Sequence, residues 1–232
     1  MRSVARLLAG SIVVRASIAR VSLTLLALAL VLAASPEVSA DYTDPAGDFL
    51  ASYTGLHGGD LDVISADVLY NPFAQTFTFS GTMNDAIGTT AGAFYVFGVN
   101  RGQGSTPFAS IGAGNVIFDA VVVLRLDSGN VRDLISGVNT QILSASDIHI
   151  SGATISATIS AAALVPRGFS EDHYTWNLWP RLAGGINKIS DFAPDNSNVV
   201  VRSIPEPMSL AMLGTGALGI VGYARRRKAK TA

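Results

Sequence analysis

No cysteine occurs among the 232 residues, which excludes disulfides, thiolate zinc sites and a cysteine nucleophile. Charged residues make up only 14% of the chain and the formal net charge is −1. A nucleic-acid binder would carry a basic excess, so that class of partner is excluded. Histidine is scarce, with His57, His149 and His173 the three present, and no His-x-x-x-His or Gly-x-Ser-x-Gly pattern is formed. No charge-free apolar run reaches the length of about 20 residues that a spanning helix ordinarily needs. Sustained 3.6-residue periodicity is missing from the middle of the chain, and so is any fixed-period repeat, which argues against a helical bundle and a flat solenoid.

What is there divides the chain into three. Residues 1–40 hold Arg2, Arg6, Arg15 and Arg20, one acid and no aromatic residue. Residues 41–203 carry 15 acids against 7 basic residues, a net of −8, and 17 of the 18 aromatics. Residues 208–232 hold five basic residues and no acid. The neutral total is therefore an acidic domain offset by two basic ends. At the first end, a positive stretch precedes the apolar run Val21–Ala34, Pro36 breaks the helix, and Val38-Ser39-Ala40 places small residues before Asp41. These are the requirements for export and for cleavage by a signal peptidase between Ala40 and Asp41, so 1–40 is expected to be a signal helix. An uncleaved anchor is the plainer alternative.

The second end runs Ile204-Pro205-Glu206-Pro207, then Met208–Tyr223, then Arg225-Arg226-Arg227-Lys228. As a helix, the 16 residues 208–223 would span roughly 24 Å, slightly short of a ~30 Å hydrocarbon core. Flanking residues compensate by snorkelling and local thinning. The arginines would stay on the cytoplasmic side, leaving Pro205–Pro207 just outside the membrane in an extended conformation. This order of features at the C-terminus resembles the PEP-CTERM sorting signal of Gram-negative bacteria. The resemblance covers residues 204–230 and implies recognition by an exosortase and processing near Pro205, Glu206 and Pro207. It implies an inner-membrane intermediate followed by the cell surface or an extracellular matrix, in bacteria that make extracellular polysaccharide. An ordinary C-terminal anchor is the alternative.

Between the two ends, period-two alternation predicts strands. Ile64, Ala66, Val68 and Tyr70 alternate with polar or small neighbours up to Asn71-Pro72, and Gln75–Met83 sets Phe77 and Phe79 opposite Thr76, Thr78 and Ser80. Phe94–Val99 is apolar on both faces. Asn115–Leu126 sets Val116, Phe118, Ala120, Val122, Leu124 and Leu126 inward, with Asp119 and Arg125 outward. Asp147–Ile150, Thr154–Ser160, Tyr174–Trp179 and Asn198–Arg202 follow, while Arg132–Leu143 reads as a short helix or an extra strand. About eight short strands between Gly, Asn, Asp and Ser turns favour an all-β domain over 41–203, an antiparallel sandwich of jelly-roll type.

Fourteen of the 15 acids in this domain are aspartates. Asp44-Pro-Ala-Gly-Asp48 is a turn that converges two short carboxylates, and Gly58-Gly59-Asp60-x-Asp62 delivers two more. Loop-borne oxygen clusters suit calcium, which takes 6–8 oxygen ligands. The same residues serve equally as turn formers and as a solubilising surface. Together with a late Asp191-Phe192-Ala193-Pro194-Asp195, the pattern is similar to the DOMON-like and family 9 carbohydrate-binding sandwiches. That similarity implies binding of sugar on a sheet face, with calcium in some members. Tyr174, Trp176, Trp179 and Tyr95 are the candidate stacking rings, with Trp176 and Leu178 on one face of their strand and Trp179 on the other; core packing is the alternative. The Gly98–Gly104 loop lacks the following helix that a phosphate cradle needs. Three functions remain: a non-catalytic envelope or matrix component that binds polysaccharide, a secreted hydrolase acting on such polymers, and a purely structural matrix protein.

Overall fold

The computed structural model describes residues 42–204, 214–216 and 218–219. The signal segment with Ala40 and Asp41, the motif Pro205–Pro207 and the cluster Arg225–Arg227 lie outside the described residues. Residues 214–216 and 218–219 are helical, and among the described residues no helix is long and apolar enough to cross a membrane. A compact unit spans Ser39–Ile204. Its strands are β1 (Tyr42–Thr43), β2 (Val63–Asn71), β3 (Thr76–Met83), β4 (Phe94–Asn100), β5 (Ala120–Leu124) and β6 (Ser128–Asp133), then β7 (Asn139–Ser144), β8 (Ile148–Ser151), β9 (Thr154–Ser160), β10 (Thr175–Arg181), β11 (Val199–Val200) and β12 (Arg202–Ser203).

Side-chain alternation makes these strands two-faced. β3 buries Phe77, Phe79 and Met83 completely and turns Thr76, Thr78, Ser80 and Thr82 outward. β9 does the same with Ile155, Ala157 and Ile159. The first sheet runs β1-β2-β3-β9-β8, with β12 also on β2; the second runs β11-β10-β4-β5-β6-β7. The pairs within both are antiparallel except β12 on β2, which is parallel. Phe77, Phe79 and Ile155 of one sheet share a core with Phe97, Val122, Trp176 and Leu178 of the other, and Phe79 meets Phe97 edge-on at 5.2 Å. Two mostly antiparallel sheets thus pack face to face, as expected from the alternation. Each large apolar side chain in that layer contributes about 1.5–3 kcal/mol.

β4 and β10 are buried on both faces because the second sheet has a further layer over its outer side. Val96 and Trp179 point outward from these strands into a second cluster with Phe108, Val116, Phe118, Ile189 and Phe192. The cover is irregular chain from the 105–118 and 186–192 segments, with Leu50 from the 44–62 segment packed against it. Gly98 admits this closeness: a Cβ there would lie 2.5 Å from the Trp179 ring.

Two sequence expectations change, and over 132–143 the extra strand, not the short helix, is what forms. Of 115–126, only Ala120–Leu124 pairs as strand; Val116 and Phe118 are buried, but in the covering segment, and Leu126 is 48% exposed. The stretch 132–143 belongs to β6 and β7, with a turn between them. Asp119, expected to face outward, is buried, because Arg101 at the end of β4 is fully buried beside it. Arg101 Nε donates to Asp119 Oδ1 at 2.6 Å, its backbone N–H donates to Asp119 Oδ2 at 3.0 Å, and its Nη2 lies 3.2 Å from Asp133 Oδ2. Burial opposes the Asp133 charge, but hydrogen bonds from Arg167 and the Ser136 N–H, with the Arg101 charge, hold its carboxyl well below the usual carboxylate range.

Removing one member of a buried ion pair leaves the other uncompensated, at about 3–5 kcal/mol. Asp119→Ala is expected to lose that much in urea unfolding, whereas Asp127→Ala, on an exposed turn, stays within about 0.5 kcal/mol. A loss below about 1 kcal/mol for Asp119→Ala would contradict the role given to the pair.

Candidate metal centre

The β1–β2 connection, residues 44–62, and the 182–198 segment meet at one end of the unit. Asp44 continues the β1 pairing, its N–H donating to Ile64 O at 3.0 Å, so its side chain is fixed at the start of the Pro45-Ala46-Gly47 turn. Gly47 adopts φ +85°, a conformation that favours glycine, and aims its N–H at both oxygens of Asp62, at 3.0 and 2.9 Å. Asp62 also accepts from Asn84 Nδ2 at 2.9 Å. The turn is thereby clamped, with Asp48 presented beside Asp44. From the other segment, Leu50 N–H donates to Ser190 O at 2.9 Å and Val63 N–H donates to Asp191 Oδ2 at 2.8 Å. Asp191 is fully buried, and its Oδ1 accepts from Phe192 N–H at 2.7 Å.

Asp44, Asp48, Asp191 and Asp195 converge here. One carboxylate oxygen from each lies within 4.8 Å of the other three. Asp44 is only 9% exposed, yet neither of its oxygens has a hydrogen-bond partner, and Asp48 Oδ1 is likewise buried without one. Buried polar atoms are nearly always paired, so three unpartnered carboxylate oxygens facing two further carboxylates could accommodate a cation.

The protonation equilibria carry the same signature. Burial, then the charges of Asp48 and Asp195, push the Asp44 carboxyl up to about 7; the Tyr42 hydroxyl opposes this without closing a hydrogen bond of ordinary length. Burial pushes Asp191 up to about 8, against the Val63 N–H bond and with help from Asp44 and Asp48. Asp48 is also raised, chiefly by burial. The Tyr42 hydroxyl is pushed up to about 12 by burial and by Asp44.

An all-carboxylate donor set without sulfur or imidazole suits a hard cation. Four protein carboxylates around one point suit calcium, which takes 6–8 oxygen ligands, better than magnesium, which keeps several waters and takes one or two carboxylates.

Of the four aspartates expected to ligate, the structure brings Asp44 and Asp48 together in this cluster and leaves Asp60 and Asp62 outside it. Asp60 is fully buried, its Oδ2 accepting from Thr90 N–H at 2.8 Å and its Oδ1 from the Thr90 hydroxyl. Asp62 is occupied by Gly47 and Asn84, and positions the turn rather than coordinating. Their places are taken by Asp191 and Asp195. The sequence held a signal for this pair: Asp-x-x-x-Asp with an internal proline occurs at 44–48 and again at 191–195.

The stacking rings require a correction. Tyr174, Trp176 and Trp179 are buried to within 1% of their surface, as is Tyr95. Tyr174 donates its hydroxyl to Leu164 O at 2.8 Å, Trp176 lies between the sheets, and Trp179 is enclosed by Phe108, Phe118 and Phe192 at 5.1, 4.9 and 5.9 Å. Their faces are spent on protein, so none stacks on a sugar. Ser170, Asp172 and His173 do come together, but both Ser170 Oγ (3.0 Å) and Asp172 Oδ1 (2.9 Å) contact the same ring nitrogen, Nδ1. A nucleophilic triad needs the serine and the acid on opposite nitrogens. Comparison with protein-family models finds no match, and comparison with curated proteins finds none.

The sign of the pH dependence follows from the raised carboxyls. Asp44 and Asp191 keep their protons in the folded state over a range where the unfolded chain has released them, so their contribution to stability is fully present below about pH 4 and is lost as pH rises through the folded values near 7 and 8. In EDTA, the melting temperature is expected to fall between about pH 5 and about pH 8, and saturating calcium is expected to abolish that fall. A melting temperature that rises over the same interval in EDTA would contradict the burial of these groups.

Proposed function

We propose that this chain is an exported, non-catalytic structural component of the cell envelope or extracellular matrix. On this reading residues 1–40 direct export and are removed at Ala40–Asp41. The tail over 204–230 places a membrane helix over 208–223 and delivers the protein to an exosortase at Pro205–Pro207. The sandwich is of jelly-roll type, the chain passing between sheets after β3, β7, β9 and β11. It carries one structural calcium ion on Asp44, Asp48, Asp191 and Asp195. Calcium there supplies the charge that lets the four carboxylates sit together.

The observation that carries the reading is the pair of unpartnered Asp44 oxygens inside the four-aspartate cluster. Its ligands come from the start and the end of the domain, as suits a clamp. A glycosidase needs two carboxyls flanking a substrate bond, one of them free to move a proton. Here four crowd around one point, and Asp191 is fully buried. With the indole and phenol rings buried, the structural role is favoured over sugar binding.

Two experiments bear on this. Calcium at 10–100 times its dissociation constant is expected to stabilise the full chain by roughly 1–3 kcal/mol in thermal melts. Asp44→Asn should remove most of that gain. A melting temperature indifferent to calcium and to EDTA would refute the metal centre. Separately, replacing Pro205, Glu206 and Pro207 with alanine is expected to leave unprocessed, membrane-held protein in the producing cell; normal processing would refute the sorting assignment.

A further inference from the structure

The two tryptophans occupy different cores. Trp176 lies between the two sheets with Phe97 at 6.2 Å, enclosed by regular strands. Trp179, three residues on, points to the opposite face of β10 and is enclosed by irregular chain: Phe108, Phe118 and Phe192, with Ile189 and Val116 in the same cluster. The cover over Trp179 is therefore made of segments without a strand ladder of their own.

The calcium ligands are built into that cover. Asp191 immediately precedes Phe192, whose ring lies 5.2 Å from Phe108 and 5.9 Å from Trp179. Asp48 is two residues before Leu50, which packs against both the Trp179 cluster and the neighbouring group of Tyr53, Leu61 and Ala93. Direct bonds between the two covering segments are few: Leu50 N–H to Ser190 O at 2.9 Å, Thr54 N–H to Asn187 O at 3.1 Å, and the Thr54 side chain to Asn187 O and Lys188 Nζ. Against these stand four carboxylates within 4.8 Å of one another.

We propose that calcium at Asp44, Asp48, Asp191 and Asp195 is a latch for the outer layer alone: with the ion bound, the 44–58 and 186–195 segments close over Trp179, and without it they open while the inter-sheet core around Trp176 stays folded. This rests on the calcium reading of the site and adds to it which part of the molecule the ion controls. The physical reason is local stability. Segments open in cooperative units according to the packing and hydrogen bonding each retains. The inter-sheet core keeps its ladders whether or not the ion is present. The cover has isolated bridges in place of a ladder: 186–195 is tied to β10 by Ser190 N–H to Pro180 O at 3.1 Å and by the Leu178–Ala193 pair at 3.0 and 2.8 Å, and its acids crowd against those of 44–48. With an affinity in the range of extracellular calcium modules, about 10⁻⁴–10⁻³ M, the latch is open on the calcium-poor side of a membrane and shut on the calcium-rich side.

Hydrogen exchange read by mass spectrometry on the unsubstituted full chain tests this, with calcium binding measured in parallel by calorimetry. Replacing calcium with EDTA is expected to speed exchange in 44–58 and 186–195 by roughly tenfold or more, while β3 and β9 change little. Tryptophan emission supplies the second readout. Trp176→Phe, which keeps Trp179, should shift to the red and become accessible to a soluble quencher in EDTA; Trp179→Phe, which keeps Trp176, should not. Magnesium at the same concentration should leave the cover open. If calcium binds but exchange changes uniformly across the domain, or not at all, the latch is overturned and the metal centre stands. If no calcium binds at millimolar concentration, the metal centre itself is overturned, and the latch with it.

Discussion

A carboxylate taken out of water has to find compensation, and most of this domain is arranged around that requirement. Charges in a low-dielectric interior are paired, hydrogen-bonded or neutralised by a proton or a metal. Pairing and hydrogen bonding both occur here. Asp119 and Asp133 share the buried guanidinium of Arg101 at the edge of the β4–β5 pair. Asp60 and Asp62 are satisfied by neutral donors, the first by Thr90 and the second by Gly47 and Asn84. Asp67 is held by Arg202 through both carboxylate oxygens. Asp44 and Asp48 stand apart, having been brought into the interior beside Asp191 without a cation of the protein's own.

The distribution of these solutions divides the molecule by kind. Ion pairs that involve arginine fasten the strand framework, joining the ends of β4 and β5 to β6 and β2 to β12, with Arg167 tying the chain before β10 to Asp133 of β6. The cluster without arginine fastens irregular chain. A strand ladder positions its residues through a repeated pattern of bonds, whereas the 44–62 and 182–198 segments are held by individually placed ones, such as Ser190 N–H to Pro180 O and Asn198 Nδ2 to Ile117 O.

The sheet framework was legible in the sequence because burial on one face leaves a period of two. Phe77 and Phe79 against Thr76, Thr78 and Ser80 predict β3 nearly to its ends, and an apolar run such as Phe94–Val99 marks a strand covered on both sides. The pattern is mute about what provides the cover. Val116 and Phe118 alternate as strand residues would, yet they serve in an irregular lid, because a lid over a flat sheet also presents every second side chain inward. Asp119 was misread for a related reason: a polar residue in an apolar run signals the solvent face unless an arginine from elsewhere in the chain reaches it, and Arg101 lies 18 residues away. The four-carboxylate cluster was half legible. The turn at 44–48 announces itself by its residue types, but its partners come from the other end of the domain. Asp60 and Asp62 lie nearer in the chain and are spent on structural bonds.

The small strand β12 has a mechanical consequence. It pairs with β2 through two residues, Arg202 opposite Leu69 and Ser203 opposite Tyr70, and Ile204 N–H reaches Tyr70 O at 3.0 Å. β1 lies along the same edge of β2, with Tyr42 opposite Ala66, so the two ends of the domain leave it side by side. Tension applied at Ile204 is borne by its backbone bond to Tyr70, the two-residue β12–β2 ladder and the Arg202–Asp67 fork, before any load reaches the long ladders of β2, β3 and β9. The first sheet therefore has a short ladder at its margin, and parting it would free a few residues without breaking the β2–β3 and β3–β9 pairings.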